Sequence, residues 1–271
     1  MNYLLLSSLS FFIGIIVGLT GIGGASLITP MLIFTFQVPA AIAISSDVVA
    51  ATMMKIVGGW KHWRQQTLDR QAVQWLACGS VPGALTGVMI LHLIKGVEGL
   101  DINFLLLRCL GVTLLLVTTA ALIKFLLLTW APQMQLPAPP KLDLETRRGR
   151  ILAVGVGAIL GFFVGMTSVS SGSLFALVLI VLFQLEPQKL VGTDIAQASI
   201  LLSFTSLGHL SLGTVDWSLV VPIWIGSVPG VILGAKLCKM VPQRPLQLAI
   251  YSLLMLISYK LVITSSFGGA V

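Results

Sequence analysis

The sequence predicts an all-α polytopic membrane protein with two inverted-topology repeats, each a re-entrant, broken helical hairpin followed by three transmembrane helices. Three observations support this prediction: the composition, an internal duplication without gaps, and the different charges of equivalent loops. The chain of 271 residues is 56% hydrophobic and only 9% charged, with a mean hydropathy of +1.02. Soluble domains carry about 25% charged residues. This chain therefore cannot cover a water-facing surface.

The duplication relates residues 14–87 to residues 161–234 at a constant offset of 147 positions. Of the 74 aligned pairs, 22 are identical, which is more than a shared apolar composition produces in one ungapped register. Internal repeats in an apolar chain are typical of secondary transporters, which bind substrate between the repeats near the bilayer midplane. We predict a first repeat over 1–130, a cytoplasmic linker over 131–149 and a second repeat over 150–271.

Each repeat contains five apolar stretches of helical character. The second stretch of each repeat has about a dozen residues, too few to cross roughly 30 Å of hydrocarbon at 1.5 Å per residue. It follows a hinge of small residues, so we predict a hairpin that enters the membrane, turns and leaves by the same side. The predicted stretches are 3–19, 24–36, 39–60, 71–94 and 102–129, then 150–166, 172–184, 187–208, 217–238 and 245–264.

The loop charges predict how the chain is oriented. Lysine and arginine favour the cytoplasmic side, and loop 61–70 contains three of them, whereas its equivalent, loop 208–217, contains none. The basic linker and segment 239–244 are then cytoplasmic, and the weakly charged segment 95–101 is outside. These assignments agree with one another only if the hairpins do not change sides. The repeats are therefore predicted to be inverted, with both termini outside.

The hairpin tips carry candidate substrate-binding residues. Where a helix begins, its first backbone N–H groups lack helical partners and the helix dipole is positive, which suits an anion. Glycines let the backbone approach a ligand, and hydroxyls donate further bonds. Small residues also allow tight helix packing. Because a break between helices occurs at equivalent positions of both repeats, we favour a role in ligand binding. The candidates are Thr20, Gly21, Gly23, Gly24 and Ser26 at the first tip and Thr167, Ser168, Ser170, Ser171, Gly172 and Ser173 at the second.

One aspartate lies inside the predicted membrane region of each repeat, Asp47 and Asp194, at equivalent positions. Each is about eight residues into a spanning helix, roughly 12 Å deep, and an intramembrane carboxylate is by default a functional candidate. Two roles stay open: a proton-coupling group, or an acceptor of hydrogen bonds that holds the neighbouring hairpin in place. Direct contact with an anionic substrate is disfavoured because like charges repel.

Three basic residues are candidates for coupling or for support of the hairpins. Lys55 aligns with Leu202, so this charge occurs in one repeat only. It either extends to the interface or lies on an anion pathway. His62 and His209 share a repeat position at helix ends, where imidazole either titrates during transport or caps the helix.

Glutamine side chains add polar groups whose role the sequence leaves open. Gln197 lies three residues after Asp194, and Gln37 and Gln184 share a repeat position. Each amide could bond a ligand or a neighbouring helix.

Several functional classes are excluded by composition and motifs. The net charge of +7 comes from basic residues in short loops, which orient a membrane protein, so no nucleic-acid partner is expected. Cys78, Cys109 and Cys238 lack metal-ligand spacing and read as packing residues. The chain has no hydrolase, nucleotide-binding or haem motif. We expect no enzyme activity, no metal and no cofactor, with a small anion and the lipid bilayer as partners.

The tip and helix motifs resemble the TauE/SafE sulfite exporter family, also called the 4-toluene sulfonate uptake permease family. The resemblance rests on GIIVGLTGIGGASLITPML at 14–32 and on LVGTDIAQASILLSFTSLGHLSLGTVDWSLVVPIWIGSVPGVILGAKL at 190–237. It extends over nearly the whole chain. It implies transport of sulfite, sulfonates, sulfoacetate or thiosulfate across the bacterial inner membrane.

We therefore expect a secondary transporter of a small sulfur-containing anion that works by alternating access coupled to protons. Three alternatives stay open at this point. The cysteines could serve a thiol-dependent sulfur-relay permease for thiosulfate. The chain could also be a non-transporting factor for assembly of other membrane proteins, or a passive channel.

Overall fold

The computed structural model describes residues 2–20, 23–64, 66, 68–95, 101–130, 142–169, 173–237 and 243–266. Within these ranges every regular element is an α-helix, which confirms the predicted all-α class. Each predicted apolar stretch corresponds to one helix; α3 and α8 continue beyond their predicted ends, α6 begins before its predicted start and α7 stops before its predicted end. The helices are α1 (Tyr3–Thr20), α2 (Ala25–Phe36), α3 (Ala40–Arg64), α4 (Arg70–Lys95), α5 (Ile102–Trp130), α6 (Arg147–Thr167), α7 (Ser173–Val181), α8 (Pro187–Ser211), α9 (Trp217–Leu237) and α10 (Gln243–Ser266).

Six of the described helical stretches are long and apolar enough to cross a membrane, by length and composition. They are Arg70–Lys95, Ile102–Ile123, Arg147–Thr167, Lys189–Ser211, Trp217–Gly234 and Pro245–Ile263. The first arm of the second hairpin, α6, is among them with 21 residues, about 31 Å at the helical rise. Its second arm, α7, has only 9 residues. The hairpin is therefore unequal, with one arm of full membrane length.

The two ends of the second hairpin lie side by side. Leu142, before α6, donates its backbone N–H to the carbonyl oxygen of Leu182, after α7, at 2.8 Å. The hydroxyl of Thr146 accepts the N–H of Gly149 at 3.1 Å and caps the start of α6. The two ends of the hairpin are therefore adjacent, as the predicted hairpin requires, while its position in a membrane stays a prediction.

Both short helices end in the same left-handed turn. Gln37 and Gln184 have φ of 52° and 49°, and both side chains are exposed. The next N–H in each case reaches back six residues to a helical carbonyl, from Val38 to Leu32 at 3.1 Å and from Leu185 to Leu179 at 3.3 Å. This pattern satisfies carbonyls at a helix C-terminus. The paired glutamines thus terminate α2 and α7.

Glycines allow two helix pairs, α1 with α9 and α4 with α6, to make backbone contact. A Cβ on Gly14 would lie 2.6 Å from the carbonyl oxygen of Ser227, and one on the equivalent Gly161 would overlap that of Ser80. The other glycines behave alike: Gly79 faces Val154, Gly83 Ala158, Gly87 Phe162, Gly226 Ser7, Gly230 Phe11 and Gly234 Ile15. Residue numbers rise together along each pair, so the paired helices run parallel. The sequence GSVPG, which occurs at 79–83 in α4 and at 226–230 in α9, is therefore a packing surface.

The central helices α3 and α8, which are repeat equivalents, run antiparallel. Contacts pair Ser45 with His209, Thr52 with Leu202 and Gly59 with Ser199, so that one number falls as the other rises. The equivalent pair α5 and α10 behaves likewise: Phe125 packs edge-on against Tyr251, and Gly111 lies against Leu261. Equivalent helices thus point in opposite directions. Their orientation in a membrane stays a prediction.

Hydroxyls at one repeat position fasten each repeat to the other. Ser46 on α3 accepts the N–H of Asp216 at 3.0 Å, and the equivalent Thr193 on α8 accepts that of Asp69 at 2.9 Å. The Asp69 carboxylate in turn accepts the N–H of Ala72 at 3.0 Å, as an N-cap does. The beginnings of α4 and α9 are therefore fixed to the opposite repeat.

Candidate functional site

The carboxylate of Asp47 joins the two hairpins. Its Oδ2 accepts the hydroxyl of Thr29, on α2, at 2.6 Å and the hydroxyl of Ser168, at the end of α6, at 3.1 Å. All three side chains are fully buried. The second oxygen, Oδ1, is buried without a hydrogen-bond partner among the described residues. Asp47 therefore holds α2 of one repeat against the tip of the other.

Ser168 reaches Asp47 because the backbone turns left-handed where α6 ends. Its φ is 61°, and its N–H donates to the carbonyl oxygen of Val164 at 2.9 Å. A residue other than glycine in this conformation is uncommon and stores strain. The equivalent position in the first repeat is Gly21. The serine thus adds a hydroxyl donor at a position that glycine would occupy without strain.

Asp194, the repeat equivalent of Asp47, has different partners. Its Oδ2 lies 3.8 Å from the Nζ of Lys55, and its Oδ1 has no hydrogen-bond partner among the described residues. The positions equivalent to Thr29 and Ser168 are Ala176 and Gly21, which carry no hydroxyl. The ammonium group of Lys55, which has no equivalent in the second repeat, takes the place of the two hydroxyl donors.

Gln197 lies one helical turn beyond Asp194, on the same face of α8. Its Nε2 donates to the hydroxyl of Ser80 at 2.8 Å, and its Oε1 is buried without a partner among the described residues. The amide therefore links α8 to the GSVPG segment of α4. Its unbonded oxygen leaves capacity for one further donor.

His209 connects three helices. Its Nε2 donates to the carbonyl oxygen of Gly165 at 2.9 Å, and its Nδ1 lies 2.9 Å from the hydroxyl of Ser45. That hydroxyl also lies 2.7 Å from the hydroxyl of Thr214. In the neutral imidazole, Nδ1 accepts from Ser45. His209 is 1% exposed, so it bonds α3 and α6 in the interior. The side chain of His62 lies outside the described part of the chain.

The tip residues are placed only in part. Gly24 precedes α2, and the N–H groups of Ser26 and Leu27 donate to the carbonyls of Gly23 and Gly24 at 3.3 and 3.0 Å. A ligand would therefore have to share or replace these bonds. Thr167 donates its hydroxyl to Phe163 of its own helix at 2.7 Å. Gly21, Ser170, Ser171 and Gly172, and the side chains of Thr20 and Ser173, lie outside the described residues.

Three bonding partners were missing from the sequence-based set: Thr29, Ser45 and Ser80. Thr29 and Ser45 are specific to one repeat, since Ala176 and Gly192 replace them. Ser80 is shared by both repeats, as part of the repeated run GSVPG, but was not among the predicted site residues. Thr29 could have been identified because it is a polar residue within the apolar helix α2.

The cysteines do not gather at this site. Cys78 is exposed and Cys109 is half-buried, while Cys238 lies outside the described residues. Among the residues that the structure describes, no three histidine, cysteine or acidic side chains come close enough to hold a metal ion.

Comparison with known proteins gives a consistent pattern. The profile of the family described as "Sulfite exporter TauE/SafE" matches residues 6–261. The probable membrane transporter protein YjnA of Bacillus subtilis is 36% identical over 254 residues, which cover 94% of this chain and 97% of the relative. The probable membrane transporter protein YdhB of the same organism is 24% identical, over 89% and 92% of the two chains. No solved structure shows a significant match.

Proposed function

Because the chain belongs to the sulfite exporter TauE/SafE family, whose members are membrane transporters and not enzymes, we propose that it is a secondary transporter of a small sulfur-containing anion. The substrate is of the sulfite, sulfonate, sulfoacetate or thiosulfate class. It binds between the hairpin tips, and alternating access carries it across the bacterial inner membrane together with a proton.

The observation that carries this proposal is the bond between the hairpins through Asp47. Thr29 and Ser168 come from different repeats and share one carboxylate oxygen. Broken helices that meet between two repeats are where secondary transporters bind substrate. We call these two hydrogen bonds to the Asp47 carboxylate the Asp47 junction. The junction holds the two hairpins together, and movement of one repeat against the other breaks or restores these bonds.

The opposite directions of α3 and α8 support an inverted arrangement of the repeats. A two-fold axis in the membrane plane makes each repeat the upside-down counterpart of the other. One conformation and its repeat-exchanged counterpart then open to opposite sides. This gives alternating access without a large change within either repeat.

Asp194 and Lys55 form the proposed coupling pair. In the empty transporter the two charges neutralise each other. When a monovalent member of this substrate class enters, it pairs with Lys55, and Asp194, which loses its only described counter-charge, takes up one proton from water. One anion and one proton then cross together with no change in net charge. Another acid, Asp69, lies close to the residue before Asp194: it donates its N–H to Thr193 and caps α4 with its carboxylate.

Uptake into proteoliposomes that contain only this chain tests the proposal. Sulfite, sulfate, thiosulfate, taurine, sulfoacetate and simple carboxylates are offered with and without an inward proton gradient. We expect saturable uptake of at least one sulfur anion that the gradient accelerates. Absence of uptake for every sulfur anion by folded protein would refute transport, and gradient-insensitive flux that does not saturate would indicate a channel.

Two aspartate variants test the coupling role of Asp194 independently of the substrate. Asp194→Asn removes the carboxylate of the pair, whereas Asp101→Asn changes an exposed acid at the start of α5. We expect Asp194→Asn to keep anion exchange and lose its acceleration by the proton gradient, while Asp101→Asn behaves as wild type. Full coupling in Asp194→Asn would assign the proton to another group.

A further inference from the structure

A groove of about 760 Å³ opens between the C-terminal end of α3 and the adjoining faces of α4 and α8. This volume lies within the roughly 300–1,000 Å³ of ligand pockets. Along α4 the lining recurs every three to four residues: Arg70, Val73, Gln74, Ala77 and Cys78. The groove therefore follows one face of α4 for about 12 Å, from the first residue of the helix into its apolar part.

The repeats differ at most positions that line the groove, and the largest loss of side-chain volume in the first repeat is at Ala77. In the second repeat, Trp224 on α9 extends to α3 and donates its indole N–H to the carbonyl oxygen of Ala50 at 2.9 Å. The equivalent residue in the first repeat is Ala77, whose methyl group is too short to span the same gap between α4 and α8. The missing indole leaves the space that Ala77, Ala196 and Ser199 line.

The mouth of the groove is both aromatic and positively charged. The guanidinium of Arg64 lies 5.3 Å from the ring centre of Trp60, and that of Arg70 lies 5.1 Å from the ring centre of Trp63. Both tryptophans are more than half exposed. Tryptophan is enriched where proteins meet the membrane interface, and arginine beside it attracts anionic headgroups. This loop is also the one whose charges predict the cytoplasmic side.

We propose that this groove binds an anionic phospholipid. An acyl chain lies along α4 against Val73 and Ala77, and the phosphate pairs with Arg70 and Arg64 at the mouth. The polar mouth and the apolar stretch of about 12 Å along α4 suit a lipid that stands with its headgroup at the interface and the upper part of one acyl chain in the groove. This site is separate from the Asp47 junction, and the proposal does not depend on which anion is transported.

Native mass spectrometry of the purified protein tests this site. The protein is titrated with phosphatidylglycerol or phosphatidylcholine, and bound lipid is counted. We expect one phosphatidylglycerol to bind in preference to phosphatidylcholine. Arg64→Gln/Arg70→Gln should reduce that preference about 30-fold, because two interfacial charges are lost. Arg147→Gln/Arg148→Gln, which removes two exposed charges on the same predicted side, should leave the preference unchanged.

A second variant blocks the groove without changing charge. Ala77→Trp introduces the residue of the other repeat and should abolish the bound lipid while the thermal unfolding midpoint is kept. The proposal is overturned if Ala77→Trp binds as wild type, if both lipids bind equally, if a second copy of the chain occupies the groove, or if sulfite displaces the lipid. Lipid binding is scored without transport, so a failed uptake assay leaves this result intact.

Discussion

Asp47 and Asp194 occupy equivalent positions, but different groups stabilise their buried charges. Asp47 relies on two hydroxyls, and a hydrogen bond to a charged group contributes about 1.5–3 kcal/mol. Asp194 relies on one cation at 3.8 Å, where attraction of about 4 kcal/mol at an effective dielectric constant of 20 is offset by the cost of desolvating both ions. Duplication thus supplied two carboxylates, and the surrounding substitutions gave them different partners.

Removal of the Thr29 hydroxyl tests the role of Asp47. Thr29→Val keeps the shape of the side chain and leaves the carboxylate with one donor, so we expect a loss of about 1.5–3 kcal/mol of stability. Thermal unfolding in detergent measures it. Thr205→Val is the control, because the hydroxyl of Thr205 is equally buried and, among the described residues, bonds only to Leu201 of its own helix. Equal destabilisation by both variants would show that the junction contributes nothing specific.

Lys55→Met tests whether the charge of Asp194 depends on Lys55. Removal of one partner leaves a buried carboxylate unpaired, which costs up to about 3–5 kcal/mol; the cost is lower here because Lys55 is partly exposed. The double variant Lys55→Met/Asp194→Asn should recover much of the loss. Thermal unfolding of all four proteins gives the coupling energy. Additive effects would mean that the two side chains do not interact.

The residues that the repeats share could be selected from the sequence, whereas partners specific to one repeat could not all be found. Asp47, Asp194 and His209 were identified because they recur at the offset of 147. Thr29 was missed because its equivalent is Ala176, and repeat comparison favours shared residues. His209 was expected at a helix end; it also lies buried between Ser45 and Gly165, since tertiary packing, which the helix position alone does not define, determines its surroundings.

At the scale of helices, close packing follows the repeated glycines. In the α4–α6 and α1–α9 pairs, a backbone carbonyl of one helix lies where the Cβ atom of any residue other than glycine on the other helix would be. Without a hydrophobic driving force between helices inside a bilayer, such contact supplies much of the association energy. The sequence showed the glycine spacing in both copies. Which helix each glycine would face depends on how the repeats interlock, which the spacing does not reveal.

Two glycines of the same helix provide a matched test of this packing. Gly161→Ala places a methyl group against the carbonyl of Ser80, so we expect a loss of about 1–3 kcal/mol or more from overpacking. Gly155→Ala meets nothing within 4 Å and should be neutral or stabilising by up to about 1 kcal/mol through helix propensity. Thermal unfolding in detergent compares them. A neutral Gly161→Ala would contradict the close approach of α4 and α6.

For the whole molecule, the duplication and the loop charges predict that the two repeats are inverted, and the helix contacts support this independently. Positive charge places loop 61–70 inside and its equivalent 208–217 outside. Loop 61–70 lies at the C-terminal end of α3 and loop 208–217 at that of α8. Because α3 and α8 are antiparallel, their C-terminal ends point in opposite directions. Hydropathy alone predicts which segments cross the membrane but not which end of each segment is cytoplasmic, because it depends only on the apolar content of a segment. Charge asymmetry between the copies supplied the direction.

Repeat-equivalent cysteines test this orientation directly. Arg64 and Ser211 are 147 positions apart and both are exposed at the ends of α3 and α8. In a background without Cys78, Cys109 and Cys238, Ser211→Cys should react with a membrane-impermeant maleimide in intact spheroplasts, and Arg64→Cys only after permeabilisation. Labelling of both from one side would mean that the repeats have the same orientation in the membrane. Alternating access by exchange of equivalent repeats would then fail, because exchanging the conformations of two repeats with one orientation leaves the opening on the same side.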